Sequence, residues 1–440
     1  MSRFRKLDEW LRWQEGLHPK KIDLGLERVA SVWRKAAHRA QLPFRVITVA
    51  GTNGKGSCVA FLDAIYRAAG YRVGCFTSPH LVNYNERIRV DGKAADDELI
   101  CAAFERIDQA RGGTSITYFE FSALAALSIF LDAQLDVVVL EVGMGGRLDA
   151  VNILDPDLAL VTTIGLDHTE WLGSTLHEIA REKAGIMRPG KPVVCASPSA
   201  SELLFDHARR LHAAIYVSGI DFSYQNNGAS WDWWSEGRRM EELPLPCLQG
   251  EYQLQNAAGV IMALTLMRSW LAVERGAVEQ GLQAAQVRGR FQVIPGTPGI
   301  VLDVAHNVEA VQVFVENLRR LPRAGQTKAV FGMMSDKDVK SVVAVVAPLV
   351  DEWYLADLGV SRGMPTARLS EIIAAVALDN VKITQYSNAV TAFEGAMADA
   401  SAGDTVLVFG SFWLVGDILP LVERKQSKPN KLSAPAGNCI

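Results

Sequence analysis

The segment VAGTNGKGS, residues 49–57, combines residue types that could bind a phosphate. Its glycines let the backbone approach an anion, Lys55 supplies a positive charge for the β- and γ-phosphates, and Ser57 offers a hydroxyl. The usual phosphate loop reads G-x-x-x-x-G-K-[ST], whereas here Val49 replaces the first glycine and one residue separates Lys55 from Ser57. An apolar run precedes the segment, and a helical pattern follows from about Ser57. The segment therefore predicts a nucleotide-binding loop; the alternative is a tight turn with a solvated lysine.

Three further polar residues stand at the ends of short apolar runs: Ser78, Glu141 and His168. A carboxylate at the end of a buried strand is costly unless it is paired or bound to a metal. A serine, a glutamate and one histidine, together with phosphate oxygens and water, suit Mg²⁺. Taken singly, they could instead be a capping serine, a salt-bridged glutamate and a core histidine.

These residues need a scaffold that brings strand ends together. Short apolar runs alternate with helical patterns, which indicates a mostly parallel α/β sheet. Ligands of such sheets bind beyond the carboxyl ends of the strands, so the loops should converge on one crevice. The runs in question are 45–50, 71–76, 136–142, 158–164 and 191–196.

A second α/β series begins after the Pro- and Gly-rich segment VIPGTPG. We predict a P-loop-type, mostly parallel-sheet ATPase domain over residues 1–295 and a smaller doubly wound, Rossmann-like α/β domain over 296–425. The polar residues 426–440 are predicted to be a disordered tail. The strand candidates of the second domain are 300–305, 328–334, 352–357, 381–386 and 405–410.

Residues 222–240 interrupt the alternation with a polar stretch that carries three tryptophans. The pattern favours a small β-hairpin whose tryptophans pack across strands. An aromatic platform for a ligand is the alternative.

Composition excludes several classes of protein. The chain has 440 residues, 49% of them hydrophobic and 21% charged, with a net charge of −4. No general basic field would attract nucleic acid, and no apolar run approaches a membrane span. The N-terminus lacks an apolar signal core, and six scattered cysteines argue against a disulfide frame or a zinc site. We expect a cytoplasmic protein that binds neither nucleic acid nor membrane.

Two motifs near the end of the first domain and the start of the second could reach a nucleotide. Arg290 in RGRF could contact a phosphate, while Asp303 in DVAHN ends a predicted strand and could hold a ribose or a base. The alternative for Asp303 is a helix-capping role. Lys183, in REKAGI, would by itself be read as a solvated helix residue.

The motifs together resemble the dihydrofolate synthase/folylpolyglutamate synthase family, within the wider class of the Mur ligases. The resemblance extends to about residue 425. The motifs that carry it are DLGLERV (23–29), VAGTNGKGS, TSPHLVNYNERIRV (77–90), TYFEF (117–121), EVGMGGRLDAVN (141–152), LDHTEWLG (166–173), REKAGI, GRFQ (289–292), DVAHN and DTVLVFGSF (404–412).

The resemblance implies an ATP-dependent amide ligase. A substrate carboxylate would attack the γ-phosphate of ATP, and the amino group of L-glutamate would then displace phosphate from the acyl phosphate. It also implies Mg²⁺, a CO₂-derived carbamate on Lys183 and a monomer, and it leaves open a monovalent cation such as K⁺. The implied catalytic residues are Lys55, Lys183 and His306, and the metal ligands are Ser78, Glu141 and His168. The implied ATP-binding residues are Thr52, Asn53, Gly54, Lys55, Gly56, Ser57, Asn256, Arg290 and Asp303.

The resemblance further implies that dihydropteroate is an acceptor, as are the γ-carboxylates of reduced folates. All three segments that hold dihydropteroate in the family are intact, which favours both activities over folylpolyglutamate synthesis alone. Asp23 and Asp149 can accept from pterin N–H groups, and Phe119 offers an aromatic face. The implied pocket residues are Asp23, Leu24, Gly25, Leu26, Thr117, Tyr118, Phe119, Glu120, Leu148, Asp149 and Ala150.

Other functions fit the motifs less well. A peptidoglycan Mur ligase would carry a nucleotide-sugar domain ahead of the loop, where this chain has only 48 residues before Val49. A P-loop kinase would leave the second α/β domain and REKAGI unexplained. A non-enzymatic nucleotide switch would bind nucleotide without releasing phosphate in the presence of glutamate.

Overall fold

A computed structural model of the chain describes residues 3–37, 39, 41–376 and 381–427. The chain divides into two compact units, with the break between Val287 and Arg288. We call them the N-terminal unit and the C-terminal unit. Most of the predicted disordered tail, from residue 428 onward, lies outside the described residues.

The N-terminal unit alternates strands with helices, as the apolar runs predict. Its strands are β1 (Arg45–Ala50), β2 (Val73–Phe76), β3 (Ile88–Val90), β4 (Lys93–Ala94), β5 (Val137–Glu141), β6 (Leu158–Val161), β7 (Val193–Cys195), β8 (Ile215–Val217), β9 (Phe222–Asn226), β10 (Ser230–Ser235) and β11 (Arg238–Pro244). Its helices are α1 (Leu7–Glu15), α2 (Glu27–Ala36), α3 (Lys55–Ala68), α4 (Asp97–Arg111), α5 (Tyr118–Asp132), α6 (Thr169–Leu172), α7 (Leu176–Ala184), α8 (Ser201–Arg210), α9 (Glu251–Met267) and α10 (Arg275–Ala284).

The main sheet of this unit has eight strands in the order β4-β3-β2-β5-β1-β6-β7-β8. The neighbouring pairs from β2 to β8 are parallel, whereas the β2–β3 and β3–β4 pairs at one edge are antiparallel. The loops that follow β1, β2, β5 and β6 therefore emerge at the same edge. The predicted phosphate and metal residues from Thr52 to His168 lie in these loops, at the end of the strand before them or at the start of the helix after them.

Both faces of the sheet are covered, which explains why its strands are apolar throughout. Along β1, Val46 and Ala50 belong to one core with α4 and α5, while Ile47 and Val49 belong to another with α3 and α9. Helix α5 is buried on nearly every side, so its sequence, YFEFSALAALSIFLD, shows little amphipathic pattern.

The tryptophan-rich stretch forms a three-stranded antiparallel sheet, β11-β10-β9, one strand more than the predicted hairpin. Trp231 and Trp233 are fully buried, and their indole N–H groups donate to the carbonyls of Pro244 and Ala258. Both tryptophans therefore pack in the core, as the cross-strand interpretation predicts.

The C-terminal unit is a second α/β layer structure with its own core. Its sheet order is β12-β13-β17-β14-β15-β16, parallel except for the β12–β13 pair. Its strands are β12 (Gln292–Ile294), β13 (Gly299–Asp303), β14 (Thr327–Phe331), β15 (Glu352–Ala356), β16 (Lys382–Tyr386) and β17 (Thr405–Phe409). Its helices are α11 (Val308–Arg320), α12 (Val339–Val346), α13 (Thr366–Val376), α14 (Ala389–Asp399) and α15 (Phe412–Ser427).

The structure confirms the fold class, a mostly parallel α/β sheet followed by a second α/β unit. The break in contacts lies ahead of VIPGTPG, because β12 pairs with β13 and belongs with the C-terminal unit in this division. Helix α3 begins at Lys55, two residues earlier than the sequence suggests. Within the described part of the chain, no helix has the length and apolar character needed to cross a membrane.

Candidate active site

The glycine loop connects β1 to α3 in a conformation that needs glycine at two positions. Gly51 has φ 150° and Gly54, the N-cap of α3, has φ 89°. A Cβ atom at Gly54 would also stand 2.6 Å from the side-chain oxygen of Asn256. Because Gly54 has no side chain, it cannot cap the first-turn N–H groups of α3. A helix start of this kind can receive an anion.

The loop after β6 holds the glycine loop in place. The N–H of Asn53 donates to Thr163 Oγ1 at 2.9 Å, and Thr162 Oγ1 donates to the carbonyl of Asn53 at 2.6 Å. Thr52 Oγ1 bonds both the carbonyl and the N–H of Gly165. Four hydrogen bonds that involve side chains therefore fix Thr52 and Asn53, which lie outside the helices and strands.

Lys55 and Ser57 are the charged and hydroxyl groups of the loop. The Lys55 ammonium donates to the carbonyls of Gly51 (2.9 Å) and Thr52 (3.2 Å), which places its charge over the loop. Ser57 is buried and accepts from Gln253 Nε2 at 3.1 Å. Gln253 in turn accepts from Asn256 Nδ2, so α9 supports the loop from behind.

The predicted metal ligands lie on the loops at the same edge of the sheet. Glu141, only 6% exposed, ends β5, and its Oε2 accepts from the Ser78 N–H at 3.2 Å. A Cβ atom at Gly56 would stand 3.9 Å from Glu141 Oε1, so the carboxylate faces the start of α3. His168 caps α6 with a left-handed φ of 51°, and its N–H donates to Asp167 Oδ1.

These residues fit a hard divalent cation in their chemistry. A carboxylate and a hydroxyl are oxygen donors, and a single imidazole is compatible with Mg²⁺ or Mn²⁺. Across the described ranges no group of three His, Cys, Asp or Glu side chains could hold a metal. A site built here would need ligands of other kinds, such as Ser78 or a modified lysine.

The loop after β5 packs against the last turn of α7, the helix that carries Lys183. The Arg147 N–H donates to the Glu182 carbonyl at 2.7 Å, and the two side chains form an ion pair. A Cβ atom at Gly146 would stand 3.0 Å from the Lys183 carbonyl. Lys183 is only 4% exposed, so the expectation of a solvated lysine from the local sequence alone is wrong.

Two of the predicted dihydropteroate segments meet at Arg28. Its guanidinium bonds the Asp23 carboxylate (2.6 Å) and carbonyl (2.7 Å), and it also bonds Glu120 Oε1 (2.9 Å). Glu120 and Thr117 form the capping box that starts α5. Leu24, Gly25 and Leu26 form a half-buried stretch that leads into α2.

The third segment joins the second through an aromatic contact. A Cβ atom at Gly143 would stand 2.5 Å from the ring of Phe119, so only a glycine lets the two segments approach this closely. Tyr118, which precedes Phe119, is half-buried, as is Leu148 in the third segment. Ala150 is buried. Segments 23–26 and 117–120 are therefore linked through Arg28, and the loop that precedes 148–150 meets 117–120 at Gly143 and Phe119.

Asp149 is the most perturbed carboxyl of these segments. It is 2% exposed and accepts from the N–H groups of Met144 (2.8 Å) and Val151 (3.1 Å). Burial raises the pKa of Asp149 to about 7, against the lowering effect of backbone N–H donors and of the Lys55 charge. Its charge therefore changes near neutral pH, within electrostatic range of the glycine loop.

The remaining predicted residues cluster at the end of β13 in the C-terminal unit. Asp303 accepts from the N–H groups of Phe291 (2.8 Å) and Ala305 (2.7 Å). Burial raises the pKa of Asp303 to about 6, opposed mainly by Arg290. The Phe412 ring contacts the Arg290 guanidinium at 5.3 Å and the His306 ring at 5.8 Å. His306 Nδ1 lies 2.8 Å from the Val304 carbonyl, so Nδ1 carries a proton.

The predicted site residues thus fall into two groups, one in each unit. The sequence analysis missed Arg28, Thr163, Gln253 and Phe412. Arg28 and Phe412 lie inside motifs that it quotes, and Gln253 stands three residues before Asn256 on one face of α9. Thr163 carries no sequence signal, because its role depends on β6 lying beside β1.

Two protein-family models match parts of this chain. The model of the Mur ligase middle domain matches residues 49–264, and that of the Mur ligase glutamate ligase domain matches residues 289–412. The dihydrofolate synthase/folylpolyglutamate synthase of Escherichia coli is 42% identical over 421 residues, which cover 96% of each protein.

Solved structures agree in fold over nearly the full chain. E. coli FolC in complex with DHPP and ADP is 41% identical with a TM-score of 0.90, covering 96% of this chain and 99% of that one. A bifunctional folylpolyglutamate synthase/dihydrofolate synthase with Mn, AMPPNP and L-glutamate bound is 41% identical with a TM-score of 0.86, covering 95% and 98%.

Proposed function

This chain belongs to the dihydrofolate synthase/folylpolyglutamate synthase family of Mur ligases, and from that premise we propose that it adds L-glutamate to dihydropteroate and to the γ-carboxylate of folates. It is an ATP-dependent ligase that forms C–N bonds. The observation that carries the proposal is that the glycine loop and Glu141 lie at one edge of the N-terminal sheet, with the Lys55 charge acting on the buried Asp149 carboxyl.

ATP binds through the glycine loop in this proposal. The N–H groups at the start of α3 and the Lys55 ammonium face the phosphates, and Gly51 and Gly54 let the backbone come close enough. Thr52 and Asn53 hold the loop in shape through their bonds to the β6 loop. Within the C-terminal unit, the proposed nucleotide-binding residues are Arg290, Asp303 and His306.

A divalent metal ion takes part in the reaction, and Ser78, Glu141 and His168 would hold Mg²⁺. When bound, such an ion neutralises charge on the phosphate oxygens. Glu141 is positioned for this role because its carboxylate faces the start of α3. A carbamate on Lys183 would add a carboxylate beside this site, and a monovalent cation such as K⁺ would be an additional ion.

The acceptor binds against Asp23, Phe119 and Asp149. Asp23 and Asp149 accept hydrogen bonds from the pterin, and the Phe119 ring lies against a flat face. This arrangement leaves the benzoate carboxylate directed toward the glycine loop, where it attacks the γ-phosphate of ATP. Lys55 stabilises the charge that develops on the transferred phosphoryl group. The amino group of L-glutamate then attacks the acyl phosphate, and phosphate leaves.

The partners of the chain are small molecules: ATP, L-glutamate, dihydropteroate and reduced folates. We propose that it acts as a monomer in the cytoplasm, without nucleic acid or membrane. The net charge of −4 supports the first exclusion, and the five cysteines among the described residues are unpaired, which suits a reducing compartment.

Phosphate release measured with two acceptors tests the proposal. The purified chain is incubated with Mg-ATP and L-glutamate, with dihydropteroate in one series and a tetrahydrofolate in another, and glutamate is omitted in the controls. We expect glutamate-dependent phosphate release with both acceptors. Release with the tetrahydrofolate alone would support folylpolyglutamate synthesis only. Nucleotide binding without release in either series would support a switch.

A further inference from the structure

The side chain of Arg28 forms the only direct link that the described residues show between two acceptor segments, DLGL (23–26) and TYFE (117–120). Nη1 bonds Asp23 Oδ2 at 2.6 Å, while Nη2 bonds the Asp23 carbonyl at 2.7 Å and Glu120 Oε1 at 2.9 Å. A planar guanidinium can make all three bonds at once, which a lysine ammonium at one point cannot do as well.

The two ends of this link lie in different kinds of structure. Glu120 lies in the first turn of α5, and its Oε2 accepts from the Thr117 N–H at 2.7 Å, so its carboxylate is fixed by the capping box. Asp23 lies in a stretch without regular structure between α1 and α2. Arg28 therefore transmits the fixed position of α5 to Asp23.

The charged groups around Asp23 also indicate that its carboxylate is held in place. Arg28 is flanked by two carboxylates, and Lys20 and His18 approach Asp23 at 3.3 and 3.5 Å. The opposing effects of burial and of hydrogen bonds and charge from Lys20, Arg28 and His18 leave the pKa of Asp23 below its usual value. Asp23 is therefore held as a charged acceptor rather than as a donor.

We propose that Arg28 is a positioning residue for dihydropteroate, acting through Asp23 and not by contact with the reacting atoms. This inference rests on the proposed function, because it assumes that Asp23 contacts the pterin. The bonds of Arg28 reach Asp23 and Glu120, whereas the glycine loop is held by the β6 loop and α9. Loss of Arg28 should therefore weaken use of dihydropteroate and leave ATP binding unchanged.

The test compares KM and kcat of Arg28→Ala with those of wild type and of Arg34→Ala. Arg34 lies on the same helix, is exposed and bonds the Ala30 carbonyl of that helix, so its removal takes away a positive charge without disturbing Asp23 or Glu120. For Arg28→Ala we expect the KM for dihydropteroate to rise about ten- to a hundredfold, as for other losses of a supporting residue. Its KM for ATP and its kcat should stay within about twofold of wild type.

A double variant shows whether Arg28 acts through Asp23. Asp23→Ala/Arg28→Ala should have a KM for dihydropteroate no higher than the worse single variant, whereas independent effects would multiply. Arg28→Lys should recover part of the loss, and it carries the test if Arg28→Ala does not fold.

Two outcomes would overturn the inference. One is an unchanged KM for dihydropteroate in Arg28→Ala and Arg28→Lys. The other is an equal rise in the KM values for dihydropteroate and ATP, which would indicate a general structural role. If wild type and Arg34→Ala themselves fail to use dihydropteroate, the proposed function fails instead.

Discussion

Lys55 carries the charge closest to the transferred phosphoryl group in this account. Its ammonium already lies over the loop, 2.9 Å from the Gly51 carbonyl. Removing a group that stabilises the transition state costs on the order of 3–4 kcal/mol, so Lys55→Ala should lower kcat about 10²-fold or more. Steady-state phosphate release measures the effect, with the exposed Lys93→Ala as control. Near-normal turnover of Lys55→Ala, with an intact fold, would remove Lys55 from the mechanism.

The charge of Asp149 should control the affinity for dihydropteroate near neutral pH. Burial raises the pKa of Asp149 to about 7, so the carboxyl is neutral below that pH and charged above it. Only the charged form has both oxygens available as acceptors. Between about pH 8 and pH 6 the charged fraction falls about tenfold, and the KM for dihydropteroate should rise by a similar factor.

Asp149→Asn provides the control for this pH dependence. Its KM should be nearly independent of pH in the same range, because an amide does not titrate. A raised pKa also means that the contribution of Asp149 to stability is present below about pH 4 and is lost as pH rises through about 7. Between about pH 4 and pH 7 the denaturant midpoint of wild type should therefore fall more steeply with pH than that of Asp149→Asn. Identical pH profiles of the two proteins would contradict the assignment.

Lys183 is the residue for which the local sequence and the structure differ most. It is 4% exposed and lies where α7 meets the loop after β5, which makes an ordinary surface role untenable. If it carries a carbamate, Lys183→Ala should be inactive and partly rescued by short carboxylic acids such as acetate. The exposed neighbour Arg181 provides the matched control, Arg181→Ala. Full activity of wild type in CO₂-free buffer would argue for a bare amine.

At the scale of elements, helix α3 positions the site through the glycine at its start. Gly54 and Gly70 flank this helix with nearly the same left-handed φ, 89° and 88°. A Cβ atom at Gly54 would stand 2.6 Å from Asn256 Oδ1, whereas one at Gly70 would meet nothing within 4 Å. An alanine would therefore meet the same backbone strain at both positions, but its methyl group would contact Asn256 only at position 54.

This pair separates loop geometry from helix stability. Gly54→Ala and Gly70→Ala should each cost about 1–2 kcal/mol of stability from the left-handed conformation. Only Gly54→Ala should also lose ATP binding, because its methyl group displaces Asn256 and the loop. Denaturant unfolding and nucleotide titration of both variants measure the two effects. Equal ATP affinity in both would mean that the contact with Asn256 does not shape the loop.

Elements with long apolar runs could be predicted from the sequence, and short ones could not. All five strand candidates of each series are strands, because runs of β-branched residues between turn signals carry enough pattern. The short strands β3, β4, β8 and β12 are not predicted, since two or three residues show no period; β7 is equally short but lies within the longer apolar run 191–196. The predicted start of α3 is two residues late because Gly54 and Gly56 flank Lys55, and glycine has low helix propensity.

At the scale of the whole molecule, motifs in the sequence predict which residues form the site, but they do not indicate which residues support them. Motifs at strand ends indicated Glu141 and Asp303, since parallel strands must end at a common edge. The supporting contacts join residues far apart in sequence: Arg28 bonds Glu120, 92 residues away, and Gln253 bonds Ser57, 196 residues away. Spacing along the chain contains no information about such pairs.

The net charge of the molecule does not favour the binding of anions. The net charge is −4, yet the substrates are anions, so attraction must come from local groups. Lys55 and the α3 N-terminus supply it in one unit, and Arg290 supplies it in the other. The net charge of the molecule therefore contributes little to the binding of anionic substrates. Each local cation contributes a large share of the attraction.

The transfer of heavy oxygen from the dihydropteroate carboxylate to phosphate tests the central claim most directly. Dihydropteroate labelled in both carboxylate oxygens is incubated with the enzyme, Mg-ATP and L-glutamate, and the phosphate and the pterin product are analysed by mass spectrometry. If the carboxylate attacks the γ-phosphate and glutamate then displaces phosphate, each phosphate released should carry one labelled oxygen and each dihydrofolate formed should retain the other. Unlabelled phosphate, or release without dihydrofolate, would contradict the account.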